Sequence, residues 1–112
     1  MSKNSITDSN KKVNTIRVYR KQPGELLHQI EIANTLEDLQ KAVGGYIETV
    51  TVATDLVIIC NEEGKIMGLP YNVTLCGTEF VGTILFAGVK GDEFADAPEP
   101  DVLLRLLKGG AR

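Results

Sequence analysis

The side chains of this 112-residue chain best suited to chemistry are Glu48, Asn61, Lys65, Tyr71 and Asn72. Four of them lie in one stretch, "NEEGKIMGLPYN", residues 61–72. Asn61, Lys65, Tyr71 and Asn72 put amide, ammonium and phenol groups around one turn. Such a set hydrogen-bonds a planar polar ligand or a peptide. The pair Leu69-Pro70 fixes an extended backbone just before Tyr71 and Asn72. The same residues also suit a plain turn in which each asparagine caps its own backbone. Both readings stay open at this point. Glu48 belongs to a strand-like run, on one face with Tyr46, Val50 and Val52. If that face is core, Glu48 is a buried carboxylate in need of a partner and a functional candidate. At a strand edge it is merely solvated.

Catalytic constellations are sparse. Nucleophilic catalysis needs a nucleophile beside a base, and the one histidine, His28, falls mid-strand. Cys60 sits in an apolar run and reads as a small packed hydrophobe; Cys76 falls in a loop. A Cys76–His28 pair has no support from spacing. Glu62 and Glu63 are adjacent but occupy a turn. The glycines of "GVKGDEF" and "VGGY" match neither the Walker pattern nor the dinucleotide fingerprint. No spacing of His and Cys suits zinc. The expectation is a protein that is not an enzyme, with no catalytic or metal residues and no cofactor. The net charge of −3 speaks against a general affinity for nucleic acid. Lys11, Lys12, Arg17, Arg20 and Lys21, with Tyr19 among them, form a local basic stretch. It reads as a solvated face more readily than as a phosphate or base contact.

The elements that must position these groups follow from pattern. Residues 1–12 read as a flexible polar arm, and 13–112 as a single domain. "VNTIRVYR" and "LLHQIEIA" alternate as strands, joined at Pro23-Gly24 by a type II turn. "NTLEDLQKAVGG" is a helix, with Leu36, Leu39 and Val43 on its apolar side. Its capping box is Thr35 with Asp38, or Asn34 with Glu37, and Gly44-Gly45 is its stop. "YIETVTVA" is a strand, and "LVIICN" a strand buried on both faces. "NEEGK" reads as a tight turn with Gly64 left-handed, followed by a brief strand "KIMG". "FVGTILFAG" is a central strand, and Gly82 within it marks a bulge or close approach. A helix opens at Pro100, with Val102, Leu103, Leu106 and Leu107 as its apolar face. The order β-β-α-β-β-β-β-α implies the α+β class: a mixed, mainly antiparallel sheet with both helices on one face.

Three stretches, "LQKAVGGYIETV", "LVIICNEEGKIMGLPYN" and "FVGTILFAG", resemble a family of small uncharacterised proteins, catalogued as a domain of unknown function. Its members are carried by phages, plasmids and conjugative elements, mostly of Gram-positive bacteria. The resemblance spans roughly residues 13–108. It implies no activity; it implies mobile elements in conflict with host defences, and a location in the cytoplasm of the host bacterial cell. No apolar leader or membrane-length run appears in the sequence. By that analogy the chain is expected to bind and inhibit a host defence or regulatory protein through the 61–72 segment and a sheet edge. The alternatives are an oligomeric sponge for a small nucleotide, held by Lys65, Tyr71 and Asn72, an enzyme using Glu48 or Cys76, and a structural homo-oligomer formed through Leu103, Leu106 and Leu107.

Overall fold

A computed structural model describes residues 14–110; the proposed arm, with Lys11 and Lys12, lies outside them. The elements are β1 (Thr15–Lys21), β2 (His28–Ala33), α1 (Leu36–Val43), β3 (Ile47–Ala53), β4 (Leu56–Asn61), β5 (Tyr71–Leu75), β6 (Thr78–Val81), β7 (Ile84–Lys90), β8 (Glu93–Ala95) and α2 (Pro100–Gly110). Strands run β2-β1-β7-β4-β3 across the main sheet, and β8 pairs with the end of β7. The hairpin β5–β6 forms a separate two-stranded sheet. Every pairing among the described strands is antiparallel. The sheet is therefore antiparallel throughout and not mixed.

The local signals act where backbone chemistry is explicit. At Gln22–Glu25 the Glu25 N–H donates to the Gln22 carbonyl at 3.0 Å, and Gly24 has φ 77°. That is the geometry a Pro-Gly type II turn provides. Thr35 is the N-cap of α1. Its hydroxyl oxygen accepts the Asp38 N–H at 3.2 Å and donates to the Asp38 carboxylate at 2.6 Å. The competing cap residue, Asn34, donates instead to the Phe94 carbonyl, 3.1 Å away. Gly44 ends the helix at φ 82°. Leu39 and Val43 are buried, but Leu36 is exposed, so the apolar stripe is narrower than its spacing predicts.

Side-chain alternation splits the core into two layers. Ile16, Val18, Val57, Ile59, Leu85 and Ala87 meet Leu39 and Val43 of α1. Leu56, Ile58, Cys60, Ile84 and Phe86 meet Leu75 and Phe80 of the β5–β6 hairpin and Leu103 of α2. Adjacent residues of one strand point to opposite faces. The two helices therefore pack on opposite faces of the sheet, and the expectation that both share one face is wrong. The cause is that β4 and β7 are apolar on both faces and leave two surfaces to cover. The chain changes sides at Asp96–Ala97, which is fastened to Arg17. The Arg17 N–H donates to Asp96 Oδ1 at 2.8 Å, the Ala97 N–H donates to the Arg17 carbonyl at 2.8 Å, and the Arg17 guanidinium donates to the Ala97 carbonyl.

Other features of the fold differ from the expectation. Residues 62–68 form a turn, not a strand over "KIMG", and the left-handed residue is Gly68 (φ 73°), not Gly64. "FVGTILFAG" is divided between β6 and β7 at Gly82. At φ 72°, a Cβ on Gly82 would also stand 2.7 Å from Leu69 Cδ1, which is the close approach that residue type suggests. The strands β5 and β8 add two elements to the expected order, which becomes β-β-α-β-β-β-β-β-β-α.

Candidate functional site

The 61–72 segment carries two polar centres, one at each end. The Asn72 end is closed. Asn72 is buried; its Nδ2 donates to the Lys21 carbonyl at 2.9 Å and to the Gly82 carbonyl at 2.7 Å, and its Oδ1 accepts from Lys21 Nζ at 2.8 Å. Both amide hydrogens are used, and the oxygen is engaged. The side chain therefore fastens β1 to the hairpin, and burial lowers the Lys21 pKa from its ordinary value. Tyr71 points out, its hydroxyl 2.8 Å from Thr74 Oγ1.

Asn61 is also buried and engaged. Its Nδ2 donates to the Val43 carbonyl at 3.1 Å, and its Oδ1 accepts the Glu63 N–H at 2.8 Å. This asparagine holds the end of α1 to the start of the turn. Asn61 and Asn72 thus serve the backbone, as an asparagine in a turn can. Of the four polar residues of the segment, Asn61 and Lys65 line one groove together with Glu48, whereas Tyr71 and Asn72 lie outside it.

An open groove begins next to Asn61, with a volume of ≈ 180 Å³. Glu48 and Val50 of β3 form one side, Cys60 the floor, Lys65 and Ile66 of the turn the rim, and Glu79 and Val81 of β6 the far side. The turn approaches β6 closely: a Cβ on Gly64 would lie 2.8 Å from Val81 Cγ2. Glu48 faces the groove because it pairs directly with Cys60 across the β3–β4 ladder. It is exposed, so the buried-carboxylate reading fails; β3 is an edge strand, where a charge is readily solvated.

The groove's charge is one-sided: the lining holds Glu48, Glu62 and Glu79 against Lys65. Apolar side chains of the turn, and Tyr46 just before β3, stand in water, and Ile66 among them lines the groove. Ile66 is 86% exposed, Tyr46 65% and Met67 53%. The Glu62 N–H donates to the Tyr46 carbonyl at 2.8 Å, which keeps Tyr46 beside the turn. At the floor, burial pushes the Cys60 thiol up to about 11, with the Glu48 charge as the lesser cause. Its Sγ lies 3.6 Å from the Glu48 carbonyl. A thiol held neutral in this way is a poor nucleophile near pH 7.

The remaining candidates are scattered. His28 is on the opposite edge strand, β2, and Cys76 is in the β5–β6 turn with φ 51°. Of the basic stretch, Tyr19 is buried with its hydroxyl 3.3 Å from Gln29 Oε1, Lys21 is held by Asn72, and Arg17 fastens the 96–97 crossing. Those three do not form a free basic face. Leu103 is fully buried, and Leu106 and Leu107 pack half-buried against the same core. The exposed leucine of α2 is Leu104. No group of three or more metal-ligating side chains stands together, and no helix is long and apolar enough to cross a membrane, among the described residues. The sequence reading missed Glu79 and Ile66. Ile66 falls in the "KIMG" run expected to be a strand, where an apolar residue looks ordinary, and Glu79 reaches the groove only through the hairpin's packing.

A family model described as "Domain of unknown function (DUF3846)" matches residues 16–107, and the chain belongs to that family. Neither a curated protein nor a solved structure matches the chain.

Proposed function

We propose that this chain is a non-catalytic binding protein of a phage or other mobile element, and that its groove takes a basic segment of a host defence or regulatory protein. The observation that carries this reading is the groove itself: three carboxylates against one ammonium, with the exposed Ile66 in its lining and the exposed Tyr46 held next to Glu62. Exposed apolar side chains rimmed by charge are the usual composition of a docking patch. The acidic lining attracts a basic partner and repels an acidic one. The partner would be met in the cytoplasm of the host cell.

An anionic nucleotide is poorly matched to the same lining. Among the described residues Lys65 is the one cation of its lining, Asn72 is engaged elsewhere, and Tyr71 is not part of the groove. An oligomer built on Leu103 would have to expose a residue that completes the chain's own core.

Site-specific photo-crosslinking in the host cell tests the proposal. A photoreactive residue at Ile66 should yield one discrete protein adduct. The same residue at Glu37, exposed on α1 at the opposite face, should not. The double reversal Glu48→Lys with Glu79→Lys should abolish the Ile66 adduct. Equal adducts from both positions, or an Ile66 adduct that survives the reversal, would refute the reading.

A further inference from the structure

The groove lies beside a free sheet edge, and the two together specify how a partner enters. β3 ends the main sheet: β4 pairs with one side of it, and no described strand pairs with the other. The ladder's phase fixes which backbone groups face outward. The Glu62 N–H donates to the Tyr46 carbonyl, so Tyr46 and Glu62 form a hydrogen-bonded pair. The β3–β4 register pairs Ile47 with Asn61, Glu48 with Cys60 and Thr49 with Ile59. Hydrogen-bonded and open pairs alternate in an antiparallel ladder. Glu48 and Val50 therefore spend their N–H and C=O groups on β4. Those of Ile47, Thr49 and Thr51 point to the open side, as far as the register shift between Thr51 and Ala53.

We infer that a partner segment adds to this edge as a further strand beside β3, hydrogen-bonded to Ile47 and Thr49 and projecting lysine or arginine over the acidic groove. This rests on the proposed reading of the groove as a protein-docking site. Side chains alternate along a strand, so every second residue of an added segment lies on the Glu48 face, within the field of Glu48 and Glu79. The intervening residues lie on the Ile47–Thr49 face. Main-chain bonds supply affinity in such a mode, and the alternate side chains supply selection. A second copy of this chain is the wrong occupant. Edge-to-edge pairing would bring one acidic groove beside another, and charged side chains on an edge strand are a known guard against self-pairing.

The test uses the full chain and terminally blocked heptapeptides. One alternates lysine with valine, and another alternates glutamate with valine. Two more carry the lysine–valine sequence N-methylated at every lysine or at every valine. The readouts are affinity by calorimetry and residue-resolved amide hydrogen exchange. The lysine peptide should bind and slow exchange at Ile47 and Thr49 by at least about tenfold, and the glutamate peptide should do neither. Methylation of one alternate set should weaken binding by about tenfold or more, and methylation of the other set should not. Loss with methylated valines marks an antiparallel arrangement, and loss with methylated lysines a parallel one.

Several results would overturn the inference. If the lysine peptide binds and perturbs Glu48 and Ile66, but both methylated forms bind as well as the parent, strand addition is wrong and the groove reading stands. If lysine and glutamate peptides behave alike, bound or unbound, the groove reading falls too. Concentration-dependent protection of Ile47 and Thr49 in the peptide-free protein would show that a second copy takes the edge.

Discussion

The Asn72 end of residues 61–72 and the groove beside Asn61 hold polar side chains in opposite states. At Asn72, the amide hydrogens go to Lys21 and Gly82 carbonyls and the oxygen takes the Lys21 ammonium. In the groove beside Asn61, Glu48, Lys65 and Glu79 stand exposed. A polar side chain whose bonding capacity is filled inside the fold contributes stability and has little left for a ligand. One that remains in water gives little stability and stays available. Whether the bonds are already made thus separates scaffold from candidate site better than residue type does.

That contrast breaks if the closed end proves dispensable. Asn72→Ala removes the donor to the Lys21 and Gly82 carbonyls and the acceptor of the Lys21 ammonium. It should cost about 2–4 kcal/mol of unfolding free energy, read as a lower urea midpoint. Gly82→Ala should cost about 2–3 kcal/mol in the same measurement. It forces a Cβ into the left-handed region and against Leu69. The groove end should behave differently. Glu48→Lys with Glu79→Lys alters two exposed residues and should move stability by no more than about 0.5 kcal/mol, while removing partner binding.

A pH-dependent effect concerns Cys60 at the groove floor. Its thiol keeps its proton up to about 11 in the fold, against an ordinary 9.0. Between those values the native state binds more protons than the unfolded chain, so stability should fall as pH rises through the window. Below it, Cys60 should leave stability independent of pH. Urea melts across that range on the wild type and on Cys60→Ala should show the extra slope only in the wild type.

Much of the architecture is legible because its signals are local. Pro23-Gly24, the Thr35–Asp38 cap, the Gly44 stop and the doubly apolar "LVIICN" each state their geometry within a few residues. The β5–β6 hairpin is harder to read because its two-residue turn is Cys76-Gly77, with φ 51° and 79°. Such turns usually announce themselves with Asn, Asp or Gly in the first place. The Gly91-Asp92 pair is the local turn signal that precedes β8, and Gly91 has φ 64°. The fate of the asparagines is not readable locally. Asn72 bonds Lys21, 51 residues away, and Asn61 bonds Val43, 18 residues away. Composition names both as site candidates, and only packing shows that they are already engaged.

The most direct measurement is the binding isotherm of the alternating lysine–valine heptapeptide on three chains, each first shown to be folded. These are the wild type, Glu48→Lys with Glu79→Lys, and Asn72→Ala. The account predicts that the charge reversal loses binding at unchanged stability, and that Asn72→Ala binds as the wild type does while melting earlier. Binding that survives the reversal and disappears in folded Asn72→Ala would place the site at the closed end and contradict the account.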